Sequence, residues 1–120
     1  MRKVLAAPKK DENIKKRLNV RVPINMVPEI EKKMKKVGLN TKQRSSWISE
    51  AIVSLEKQES YTVYISEEWI IPGQNVLLQV SLDIEAQKAL ENMIATAKKE
   101  LFSEDLQSSI IRTAILQKLI

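Results

Sequence analysis

Apolar residues occupy every second position in Arg17-Leu18-Asn19-Val20-Arg21-Val22, and the alternation stops at Pro23. That pattern predicts a strand with one face on a core, ended by a residue that cannot donate to a ladder. Beyond it the period changes: Met26, Val27, Ile30 and Met34 recur at helical spacing, with Pro28 tolerable because it falls in the first turn. Gly38, after Val37, is a natural stop for this helix, since glycine reaches the left-handed conformation in which many helices end. A second helix is expected to open near Asn40, whose side chain can cap free backbone N–H groups while Gln43 reciprocates three residues on. Its apolar stripe is Trp47, Ile48, Ala51, Ile52 and Leu55.

The same order then returns. Leu78-Gln79-Val80-Ser81-Leu82 alternates, Asp83 can cap a helix, and Ala86, Ala89, Leu90, Met93, Ile94 and Ala97 form a helical stripe. Ser103 is placed to cap a last helix running through Leu106, Ile110, Ile111, Ala114, Ile115 and Leu119. Leu18, Val20 and Val22 match Leu78, Val80 and Leu82 at an offset of 60, and Arg44-Ser45-Ser46-Trp47-Ile48 matches Gln107-Ser108-Ser109-Ile110-Ile111 at an offset of 63. A three-residue difference fits a longer loop or first helix in the second copy, so the chain reads as a duplicated strand-helix-helix unit. Between the copies, Tyr61-Thr62-Val63-Tyr64-Ile65 alternates weakly like a strand and Pro72-Gly73 reads as a turn, which predicts a linker over 57–74 carrying a small hairpin. The organisation expected is an arm over 1–14, a first unit over 15–56, that linker, and a second unit over 75–120.

A lone strand cannot satisfy its own backbone groups, and three short elements bury too little surface to be stable alone. The copies are therefore expected to pair within the chain. The fold class is mainly α with a short two-stranded antiparallel β-ribbon, the two units forming an intramolecular pseudo-dimer, monomeric in solution.

Composition narrows the function more than it shapes the fold. There is no cysteine and no histidine, so the thiolate nucleophile, the commonest general base and the commonest metal ligand are all missing. Nothing pairs a nucleophile with a base, and the carboxylates fall on charged helix faces. The expectation is a non-enzyme without metal, cofactor or small-molecule site. No apolar run approaches the roughly 20 residues of a membrane helix, and the basic N-terminus lacks the apolar stretch of a secretory signal, so a cytoplasmic protein is expected. The net charge of +5 hides an asymmetry: residues 1–60 hold 15 Lys+Arg against 7 Asp+Glu, or +8, and residues 61–120 hold 5 against 8, or −3. An anionic partner gripped mainly by the first half fits this split, nucleic acid being the commonest; a solvated lysine-rich surface is the plainer reading.

Leu18-Asn19-Val20-Arg21-Val22-Pro23, followed by a helix and then by Arg44-Ser45-Ser46-Trp47-Ile48-Ser49-Glu50-Ala51-Ile52, resembles the ribbon-helix-helix family of the Arc and MetJ repressors, and the resemblance covers both copies. It implies that outward strand residues contact base edges in the major groove while the start of the second helix holds a phosphate. Carried over, Arg17, Asn19 and Arg21 contact bases, and Arg44, Ser45 and Ser46 lie near phosphate. The chemistry agrees: arginine forks onto guanine, asparagine pairs bidentately with adenine, and a helix N-terminus attracts anions. The second copy departs from the pattern, with Leu77 in the place of an arginine and Asp83 in the place of Pro23. There Gln79 and Ser81 are the base-contact candidates, and Gln107, Ser108 and Ser109 meet a phosphate without a positive side chain. An asymmetric reader of an imperfect or non-palindromic site follows.

Tandem chains of this kind also resemble the TraY-like accessory proteins of conjugative plasmids, so the implied job is either transcriptional regulation or an accessory role at a transfer origin. Side-by-side assembly on DNA is compatible with either. A rival from another class is an interaction module of antitoxin type, with Tyr61, Tyr64 and Trp69 of the linker, or the basic arm, docking a protein partner. Lys32, Lys33, Lys35 and Lys36 read as a solvated helix face, and Trp47, on the apolar stripe, as core.

Overall fold

A computed structural model of the chain describes residues 16–67, 74–100 and 106–120. The first alternating segment forms β1 (Lys16–Pro23), which pairs antiparallel with β2 (Asn75–Leu82). The register sets Arg17 opposite Ser81, Asn19 opposite Gln79 and Arg21 opposite Leu77. Asn19 and Gln79 thus face each other in the middle of the ribbon. Past Pro23 the ladder gains one more bond, from the Ile24 N–H to the Gln74 carbonyl at 3.1 Å. Period-two alternation buries Val20, Val22, Leu78, Val80 and Leu82 on the inner face, with Leu18 partly covered beside them.

Helix α1 (Met26–Lys36) lays Met26, Ile30 and Met34 on the core and carries Lys33, Lys35 and Lys36 in its last turn, where the helix dipole favours cations. It ends as expected at Gly38, whose φ of 82° is left-handed. The Gly38 N–H donates to the Lys35 carbonyl and the Leu39 N–H to the Met34 carbonyl at 3.1 and 2.9 Å, the paired bonds of a Schellman stop. The reciprocal cap at Asn40 is also present: its N–H donates to Gln43 Oε1, and its Oδ1 accepts from the Lys42 N–H, both at 3.0 Å. This cap opens a single 3-10 turn, Thr41–Gln43, that runs into helix α2 (Arg44–Glu56). Trp47, Ile48, Ala51, Ile52 and Leu55 of α2 are all buried.

The segment expected as a strand of a linker hairpin is instead helix α3 (Tyr61–Glu67). Tyr61, Tyr64 and Ile65 stand at i, i+3 and i+4, so one helical face carries all three to the core, Ile65 buried and the tyrosines half-buried. A strand would have sent Tyr64 and Ile65 to opposite sides. The arm over 1–14, Trp69, the Pro72-Gly73 turn and the Ser103 cap lie outside the described residues.

After β2, Asp83 caps helix α4 (Ile84–Glu100) as expected, its Oδ1 accepting from the Ala86 N–H at 2.9 Å. Ala86, Ala89, Leu90, Met93 and Ala97 are buried and Ile94 is partly so. Helix α5 (Leu106–Leu119) is covered on nearly every side along 110–115. It packs on α2 in the middle of the molecule; α2 also meets α4 and β2, and α5 meets α4, β1 and α1. One hydrophobic core therefore draws on both halves of the sequence, in a compact, mainly helical body with a two-stranded antiparallel sheet.

Candidate nucleic-acid interface

Because the inner face of the ribbon takes alternate residues, the others make an outward row on each strand. Arg17, Asn19 and Arg21 of β1 are exposed, as are Leu77 and Gln79 of β2, while Ser81 is half-buried. Directly opposed side chains on an antiparallel pair stand about 5 Å apart at Cβ. The six form a two-by-three grid: Arg17 with Ser81 at one end, two amides in the centre, and Arg21 with Leu77 at the other. Lys16 adds a further exposed cation, and neither strand contains Asp or Glu. The grid therefore offers positive charge, hydrogen-bonding amides and one apolar side chain, with no carboxylate on either strand.

The ribbon is held from beneath by the two central helices, each reaching the strand from the other half of the sequence. In α2, Ser45 Oγ accepts from the Ser81 N–H at 3.0 Å and Ser49 Oγ from the Asp83 N–H at 3.3 Å. In α5, the Arg112 guanidinium donates through Nη1 to the Arg21 carbonyl at 2.8 Å and through Nη2 to Ser109 Oγ at 3.3 Å. Arg112 is only 4% exposed, so these bonds are what make its burial tolerable. The backbones of Arg21 and Ser81, outward residues on opposite strands, are thereby both clamped to helices. Sequence reading missed Ser49 and Arg112. The available signal was a charge set between Ile111 and Ala114 on a helix expected to be buried there, which has to find partners.

The helix-start residues assigned to phosphate are not equivalent in space. Ser46 is exposed, Arg44, Ser45 and Ser109 are half-buried, and Ser108 is buried at 5% exposure. The Ser45 oxygen and the Ser109 oxygen already accept bonds from Ser81 and Arg112. Of the expected phosphate group, Ser46 is the exposed member and Arg44 brings the positive charge, whereas Ser108 faces the interior, where the sequence reading had it at the surface.

Lys32, Lys35 and Lys36 are exposed and Lys33 is half-buried, as a solvated helix face requires. Trp47 is core at 3% exposure, with Lys118 Nζ 5.2 Å from its ring centroid and 2.8 Å from Glu50 Oε1. Among the described residues no helix is long and apolar enough to cross a membrane. Compared with protein-family models, with curated proteins and with solved structures, the chain matches none.

Proposed function

We propose that this protein is a sequence-specific double-stranded-DNA-binding protein, a transcriptional regulator, in which two strand-helix-helix units of one chain act as a pseudo-dimer and insert a shared β-ribbon into the major groove. One observation carries the reading: the outward face of the ribbon is a solvent-exposed set of Arg17, Asn19, Arg21 and Gln79 with no carboxylate among its strands. A two-stranded ribbon fits the major groove, and these side chains are the types that read guanine and adenine edges there. The clamps from Ser45 and Arg112 add support, because a reader gains specificity when its backbone is fixed before binding. Arg44 and Ser46, at the start of α2, are the phosphate contacts of this reading, supplying affinity without sequence preference.

The test is selection of sites from a pool of randomised duplexes with the wild-type chain and with an Arg17→Ala, Asn19→Ala, Arg21→Ala triple variant. An enriched site that the variant no longer retains supports the reading. If nothing is enriched and binding is absent even at low salt, the ribbon is not a DNA reader.

A further inference from the structure

The outward row of the ribbon has one member that polar recognition does not use. Leu77 is 65% exposed, stands in β2 directly opposite Arg21, and has Gln79 as its neighbour on the same face. A leucine at that exposure gains nothing from the core, and alternation with half-buried Val76 and buried Leu78 holds it pointing away from the helices. The repeat-equivalent residue is Arg17, so the two ends of the grid differ in kind: arginine beside serine at one, arginine beside leucine at the other.

We propose that Leu77 is a specificity-determining residue that packs on the C5 methyl of a thymine in the major groove, next to the base held by Arg21; this rests on the DNA-binding reading above. The thymine methyl is the one apolar group that base edges display in that groove, and apolar side chains recognise it by contact. The cations on the same face, Arg17 and Arg21, draw the groove onto the ribbon and bring Leu77 against the base edges. The recognised site is then asymmetric for a stated reason. The half beneath Arg21 and Leu77 combines a guanine with a thymine whose methyl is read, and the half beneath Arg17 and Ser81 has no apolar reader.

The experiment uses the duplex enriched by the full-length chain and replaces its thymines, one at a time, with deoxyuridine, which removes only the methyl and keeps base pairing. One replacement, confined to one half of the site, is expected to weaken wild-type binding about fourfold, the worth of one methyl-sized group removed from water. Leu77→Ala, at an exposed position that leaves the core intact, is expected to bind the thymine duplex as weakly as wild type binds the deoxyuridine duplex, and to be indifferent to the replacement. Leu77→Arg is expected to shift the selected base at that position toward guanine. If no single deoxyuridine matters to the wild type, or if it matters equally to Leu77→Ala, the assignment of Leu77 is overturned while DNA reading stands. If no duplex is enriched by the wild type at all, the DNA-binding reading itself fails and the role of Leu77 goes with it.

Discussion

Arg112 shows how a single residue can connect the core to the outer face. Its guanidinium is buried, yet its Nη1 donates to the carbonyl of Arg21, whose own side chain leaves from the opposite face of the ribbon. Arg112→Met keeps much of the volume but removes the donors, and is expected to cost about 1–3 kcal/mol of stability by chemical denaturation, the usual penalty for stranding a buried polar partner. On the surface the expected effects separate by contact type. Arg21→Ala is expected to lose about 1–3 kcal/mol on the selected duplex and to relax preference at one base pair, with little change on random DNA. Arg44→Ala is expected to weaken specific and random duplexes alike and to reduce the slope of log affinity against log salt by about 1. Equal losses for Arg21→Ala on both kinds of DNA would falsify its assignment to a base.

At the scale of elements, sequence carried most of the architecture. Both strands, the stop at Gly38, the cap at Asn40 and the cap at Asp83 were legible because each rests on local chemistry: a two-residue period, a left-handed glycine, a side-chain oxygen near free N–H groups. Tyr61–Glu67 was not, because Thr62, Val63, Tyr64 and Ile65 are strand formers by local preference, and only the non-local core on which Tyr61, Tyr64 and Ile65 pack decides for a helix. The candidate site divides the same way. Arg17, Asn19, Arg21 and Gln79 were legible as an outward row from alternation, whereas the engagement of Ser45 with Ser81, of Ser49 with Asp83 and of Arg112 with Arg21 links residues 34 to 91 positions apart, which no local pattern encodes. The stop at Gly38 gives a clean test of backbone cost. A Cβ there meets nothing within 4 Å, so Gly38→Ala incurs the torsional penalty of φ 82° without a clash and is expected to lower stability by about 1 kcal/mol.

For the whole molecule, the decisive fact is that neither half owns its core. Val20 and Val22 lie in one body with Val80 and Leu82, and α2 packs on α5. The chain is expected to unfold in a single transition, with tryptophan fluorescence and far-UV circular dichroism giving coincident curves; separate transitions would mean that the halves are independent. Since both paired strands belong to one chain, the melting temperature is expected to stay constant over a hundredfold range of protein concentration, and a rise with concentration would show that pairing between chains contributes. Truncating Ile52 or Ile111, both fully buried, is expected to remove about 2–5 kcal/mol and to lower that one transition as a unit.

The placement of Asn19 opposite Gln79 has a further consequence, for inheritance. In a ribbon built from two copies of one strand, every codon is read out twice, and a mutation that improves one half of a recognition site is forced on the other half at the same time. Here the six outward positions are six separate codons. On the proposed DNA-binding function, each is free to change while its counterpart is held, so a recognised sequence would shift by single steps that leave the other five positions in place. The cost is that symmetry no longer repairs an error: a lesion in either strand has no second copy of itself, and the ribbon must be maintained position by position.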